Sequence, residues 1–247
     1  MGADSSFWDE CLPFWTDSFR CINVDLRGAG ASPKADAPLT IELLAGDLEA
    51  VCGDAGVERL VPVGCAVGAL VAAAYAKRNL GKCSALVLSN PGFRTLPQAR
   101  AALQARMEAV RAGGMAASLP NAIDGAFAEG PDEPRRRRYT ERFLAQDPIS
   151  YAFQIEGMLH ADISEGLERV GCPVLVVGGG RDRLLPVADH AEKVRQRLAD
   201  AEYAVFETGA HFIPYQQPEE FALLVRGFLE RRLGRGPRSG QPHRKRP

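Results

Sequence analysis
The chain has 247 residues, 46% of them hydrophobic and 25% charged, with 30 basic residues against 31 acidic ones and a formal net charge of −1. A chain of this length and balance can bury roughly 70% of its surface around a full core, and a near-neutral body is not built to coat nucleic acid. No apolar run reaches the ~20 residues of a membrane span. The opening MGADSSFWDE lacks the basic and apolar regions of a secretory leader. The cysteines at 11, 21, 52, 65, 83 and 172 form neither a CxxC pair nor a zinc-binding spacing. A reduced, cytoplasmic setting is expected, with no metal and no cofactor.

In chain order, Phe19–Asp25 reads as a buried strand that ends in the turn Arg27-Gly28-Ala29-Gly30. Thr40 can cap a helix whose apolar face is Ile41, Leu44, Leu48 and Val51. Leu60–Val63 reads as a second strand and runs straight into Gly64–Gly68; the Ala-rich stretch Val67–Lys77 then reads as a helix. Ala85–Leu88 is a third strand, closed by Asn90-Pro91-Gly92, and Pro173–Val177 a fourth, closed by three glycines. A helix over Val187–Leu198, a fifth strand over Tyr203–Phe206 and a last helix over Pro218–Leu233 complete the pattern. Strands alternating with helices predict a parallel sheet covered on both faces.

The stretch 97–165 breaks this rhythm, being rich in Ala, Arg and Glu without a strand signal. A helical insertion between strands of a parallel sheet lies over the strand C-termini, so 97–165 is expected to form a cap over a ligand crevice. The arginine run 135–138 within it reads as a solvated helix start beside Asp132 and Glu133, the alternative being an anion-recruiting patch. The core is then 1–96 and 166–233. The basic, Gly/Pro-rich stretch 234–247 is expected to be a disordered tail.

The chemistry concentrates in three loops. In Val61-Pro-Val-Gly64-Cys65-Ala66-Val67-Gly68, a strand turns sharply into a helix between two glycines. Gly178-Gly-Gly-Arg-Asp182-Arg-Leu-Leu-Pro186 follows the fourth strand and Glu207-Thr-Gly209-Ala-His211 the fifth. These match, in order, the G-x-S-x-G nucleophile elbow, the acid loop and the histidine loop of the α/β-hydrolases. Asp25-Leu-Arg27-Gly28-Ala-Gly30-Ala-Ser32 resembles that superfamily's D-x-R-G-x-G-x-S turn, where Arg27 is expected to anchor its loop. The resemblance spans nearly the whole chain except the tail. It implies the α/β-hydrolase fold, a mostly parallel sheet with helices on both faces and a helical cap.

Two departures stand out. Ala66 occupies the nucleophile position. The family also opens with strands leading to an H-G-x-G oxyanion loop, of which Met1–Trp8 resembles only the end; the chain reads as starting about 20–30 residues late, with an exposed sheet edge and a damaged oxyanion loop. Val67 N–H, with Gly2, is the expected oxyanion contribution. The layout, including Arg111-Ala-Gly113-Gly114-Met, resembles the 3-oxoadipate enol-lactonase group, which needs the serine. Gly64-x-Ala66-x-Gly68-Ala-Leu70, Ala161-Asp162, Arg169-Val-x-Cys172-Pro173 and Asp182-x-Leu-Leu-Pro186 resemble the aminoacrylate (carbamate) hydrolases of bacterial pyrimidine degradation.

That resemblance implies conversion of 3-aminoacrylate to malonic semialdehyde and ammonia, with His211 as general base for water and Asp182 fixing its tautomer. The alternatives are an esterase or enol-lactonase that has lost its nucleophile at Ala66, or a non-catalytic binding protein on the same scaffold. Cys65 precedes the apex and is expected to point into the fold. His160 and His190 read as ordinary surface or cap residues. The partner is a small-molecule substrate, not nucleic acid or membrane, and a homodimer is left open.

Overall fold
A computed structural model describes residues 1–127 and 134–234. Asp132, Glu133 and the tail beyond Gly234 therefore lie outside the described residues. Among the described residues, Val63–Cys65 (β1), Leu86–Ser89 (β2), Val174–Gly179 (β3) and Ala201–Phe206 (β4) form one sheet in the order β1-β2-β3-β4, with every pairing parallel. Val87 stands opposite Val63 on one side and Leu175 on the other.

Strand alternation sorts the side chains onto two cores. Leu86, Leu88, Val174 and Val176 face Ile41–Asp54 (α1), Val67–Arg78 (α2) and Ala191–Arg197 (α7). The alanines of α2 let its backbone lie close to the sheet. Val87, Leu175 and Val177 face the other way, toward Trp15 and toward Phe221, Val225 and Phe228 of Pro218–Leu233 (α9). Each such side chain, fully buried, contributes about 1.5–3 kcal/mol. Thr40 caps α1, its side chain accepting the Leu43 N–H at 3.2 Å. Gly234 ends α9 at φ 64°, the left-handed turn that releases a helix C-terminus.

The insertion contributes Pro97–Gly113 (α3), Asn121–Phe127 (α4), Pro134–Leu144 (α5) and Pro148–Met158 (α6). Its aromatic residues Phe127, Tyr139, Phe143 and Tyr151 join Phe7 and Phe212 in a third cluster. Ile213–Gln216 (α8) follows directly and adds Tyr215. Among the described residues no helix is long and apolar enough to cross a membrane.

The structure corrects three local expectations. Four strands are present among the described residues rather than five, because Phe19–Asp25 belongs to no ladder. A strand exists by pairing, and β1 ends the sheet there. Both segments line a cavity of about 1250 Å³, through Cys21, Asn23 and Val24 and through Val63 and Cys65. The second strand forms at 63–65 rather than 60–63. Pro62 has no N–H for the ladder, and Leu60 makes only an isolated bridge to Cys83. The helix expected over 187–198 is a short 3-10 turn at Val187–Asp189 followed by α7, broken at His190 (φ −128°, ψ −80°).

Candidate active site
Between β1 and α2 the chain reverses at Ala66, whose φ of 51° and ψ of −115° lie where side chains are strained. Its N–H donates to the Ser89 carbonyl at 3.0 Å, fastening the elbow to β2. Gly64 is obligatory, since a Cβ there would fall on the Gly68 carbonyl, whereas one at Gly68 meets nothing within 4 Å. Only the first glycine of the motif is thus demanded by close approach. Gly64→Ala should cost roughly 2–3 kcal/mol in chemical denaturation, while Gly68→Ala, in the first turn of α2, should cost nothing. Ala66 is buried. Val67 opens α2, so its N–H has no acceptor within the helix and sits at the positive end of the helix dipole.

Asp182 and His211 sit in the loops after β3 and β4. Those loops touch because glycines let them: a Cβ at Gly179 would meet the Ala210 carbonyl and one at Gly180 the backbone of Glu207. His211 Nδ1 and Asp182 Oδ2 lie 2.9 Å apart, both residues buried. Asp182 Oδ1 accepts the Leu184 and Leu185 amides, each at 2.9 Å. Burial alone would raise the Asp182 carboxyl; the His211 charge and hydrogen bond, the Leu185 amide and Asn90 outweigh it and hold the group below its ordinary 3.8. Asp182 is therefore a carboxylate at neutral pH and accepts the Nδ1 proton, a contact that orients the ring.

A depressed carboxyl contributes stability that is present above its unfolded value and lost as pH falls through its folded one. Asp182→Asn should accordingly melt lower than wild type at pH 7, and the gap should close below about pH 4. Melting temperature against pH for the two proteins checks this.

Around the pair, the Cys65 thiol reaches the His211 carbonyl at 3.6 Å, which sets residue 211 against the elbow. Burial pushes that thiol up to about 12, so it offers no thiolate. Gly2 is buried at φ 77° against Phe143 of α5 and Tyr151 of α6, and its neighbours Met1 and Ala3 line the same cavity as Ala66 and Val67. Arg27 forms a two-pronged pair with Asp47 of α1 at 2.8 and 2.5 Å. Asp25 organises the adjoining turn by accepting the Ser5 amide at 2.6 Å and the Ala31 amide at 2.8 Å.

His160 is exposed. His190 is not a surface residue: it is buried, and its Nδ1 accepts the Phe93 N–H at 3.2 Å. Burial lowers its pKa, which keeps the ring neutral as that contact requires. In the arginine run, Arg135 and Arg138 pair with Glu10 and Arg136 with Asp124, so these three charges are held by acids of the chain itself.

The helical insertion reaches the pair through backbone: the His211 N–H donates to the Ala126 carbonyl of α4 at 3.0 Å. The Phe212 ring lies at 4.8 Å centroid separation from both His211 and Tyr139, tilted by 55° to the first and 34° to the second. Sequence reading passed over Asn90, whose Nδ2 donates to Asp182 Oδ2 at 2.9 Å. Asn-Pro-Gly reads as a turn, and nothing in its spacing points to the acid loop.

A strained elbow after β1, an acid loop after β3 and a histidine loop after β4 of a parallel sheet define a hydrolase scaffold. The sequence profile of the Alpha/beta hydrolase family matches residues 1–223, and the chain belongs to that family of hydrolases. Over 234 residues it is 29% identical to "Putative carbamate hydrolase RutD" of Escherichia coli O127:H6, covering 92% of this chain and 88% of the relative. Among solved structures it resembles a malate-bound thermophilic esterase from Thermogutta terrifontis, with TM-score 0.86 and 26% identity over 93% of this chain and 86% of that one. It is similarly close to the enol-lactonase from Burkholderia xenovorans LB400, with TM-score 0.86 and 25% identity over 92% and 87%.

Proposed function
We propose that the chain hydrolyses a small, reactive acid derivative of the aminoacrylate or carbamate kind by direct attack of water, without a covalent intermediate on the protein. The observation that carries this reading is Ala66 at the apex of a strained elbow, in a chain that also holds a buried, hydrogen-bonded Asp182–His211 pair. The strain is maintained although the residue has no nucleophile to present. Similarity to carbamate hydrolases supports the same substrate class.

In this mechanism His211 Nε2 takes a proton from water as the water oxygen bonds to the C3 carbon of 3-aminoacrylate in its imine tautomer. The ring returns the proton to nitrogen. His211 then removes the new hydroxyl proton and passes it to the amine as the C–N bond breaks. One water is consumed; ammonia and malonic semialdehyde are released. Asp182 stabilises the transient imidazolium, and the amides of Val67 and Gly2 are the donors proposed for the substrate's developing negative charge. Alanine suits the chemistry because its methyl leaves room for water where a serine hydroxyl would stand.

The test is ammonia release from 3-aminoacrylate above the spontaneous rate in buffer. A second reading, an esterase or lactonase that has lost its serine, draws on the likeness to the enol-lactonase and esterase structures. It would be favoured by an absence of such acceleration together with tight binding of an enol-lactone.

A further inference from the structure
Asp182 receives four donors, and three of them are its own loop amides and the histidine it serves. The fourth comes from another strand. Asn90 closes β2, is fully enclosed, and has φ 46°, a left-handed conformation that asparagine enters more readily than most residues. Its own N–H donates to the Val177 carbonyl at 2.8 Å, which fixes its backbone to β3. The Ser89 hydroxyl donates to its Oδ1 at 2.9 Å. The two Nδ2 protons go to Asp182 Oδ2 at 2.9 Å and to the Ala210 carbonyl at 3.0 Å. Both partners are acceptors, so the amide has one orientation that satisfies every contact.

We propose that Asn90 is a positioning residue for the Asp182–His211 pair. One side-chain amide grips the carboxylate and the peptide immediately before the histidine, and so sets the distance between acid and base before any substrate arrives. The carboxylate oxygen it holds is the one that faces His211 Nδ1. A hydroxyl at position 90 is too short to span both acceptors, and a carboxylate would set a second negative charge against the first. The proposal rests on reading Asp182 and His211 as the working pair, and it holds for any substrate of that pair.

The test is solvent exchange of the His211 Nδ1 proton, followed by NMR on ¹⁵N-histidine-labelled protein. Asn90→Gly keeps the positive φ without strain and removes only the amide. Leu88→Ala, two residues back in β2 and equally buried, destabilises the core without touching the bridge. The glycine variant should exchange this proton about tenfold faster or more, the effect on an opening equilibrium of losing a charge-assisted hydrogen bond. The Leu88 variant should stay within about twofold of wild type. On a turned-over substrate, Asn90→Gly should lower kcat by up to about 10²-fold with KM unchanged, as expected of a misplaced base.

Exchange in Asn90→Gly equal to wild type, equal acceleration in Leu88→Ala, or a wild-type proton already in fast exchange would each overturn the proposal. Asn90→Ser gives the same reading where the glycine variant does not fold. Absence of turnover in the wild type would count against the proposed function, while the exchange rates would still decide the role of Asn90.

Discussion
Replacing His211 by alanine should lower ammonia release from 3-aminoacrylate by about 10²–10⁴-fold, the usual worth of a positioned acid–base group. In the proposed mechanism the ring is the base, because the Cys65 thiol is held protonated by burial and residue 66 carries no heteroatom. The loss should fall on kcat, since proton transfer and not binding is removed. Asp182→Asn should cost rate in the same direction. An amide can donate to Nδ1, favour the tautomer with its proton on Nε2, and so remove that nitrogen's lone pair as a base. Steady-state kinetics on the two variants and wild type, between pH 6 and 8, measure both effects.

The second large effect concerns Ala66→Ser. The elbow geometry would hold a serine hydroxyl at the start of α2, next to the free Val67 amide. If water is the natural nucleophile, the added oxygen occupies its place. Turnover of 3-aminoacrylate should then fall by about tenfold or more, with no comparable gain on aryl or lactone esters. A chain that has merely lost its serine should do the opposite and recover ester hydrolysis together with a covalent acyl-enzyme. Parallel assays on 3-aminoacrylate and a p-nitrophenyl ester, with intact-protein mass, distinguish the two.

How much of this was legible in the sequence depended on whether the cause was local. The elbow, acid and histidine loops are read from glycines and from their place after apolar runs, because close backbone approach demands glycine there; Gly64, Gly179 and Gly180 all make such approaches. Thr40 was legible as a cap because the hydrogen bond spans three residues. Phe19–Asp25 was misread because its composition suits a strand while pairing requires a neighbour, which no composition reports. Asn90 was missed for a related reason: its partners, Asp182 and Ala210, lie 92 and 120 positions away. The buried contact of His190 is likewise distant in sequence: its partner, the Phe93 amide, lies 97 positions away.

In the proposed mechanism this chain turns over substrate with alanine at the elbow. The most direct measurement is ammonia release from 3-aminoacrylate by the wild-type protein, against buffer alone, before and after treatment with a serine-acylating reagent. Acceleration over buffer should survive treatment undiminished, with no acyl group at the elbow by mass spectrometry. A rate equal to that in buffer, or an acceleration lost in proportion to acylation of the protein, would contradict it.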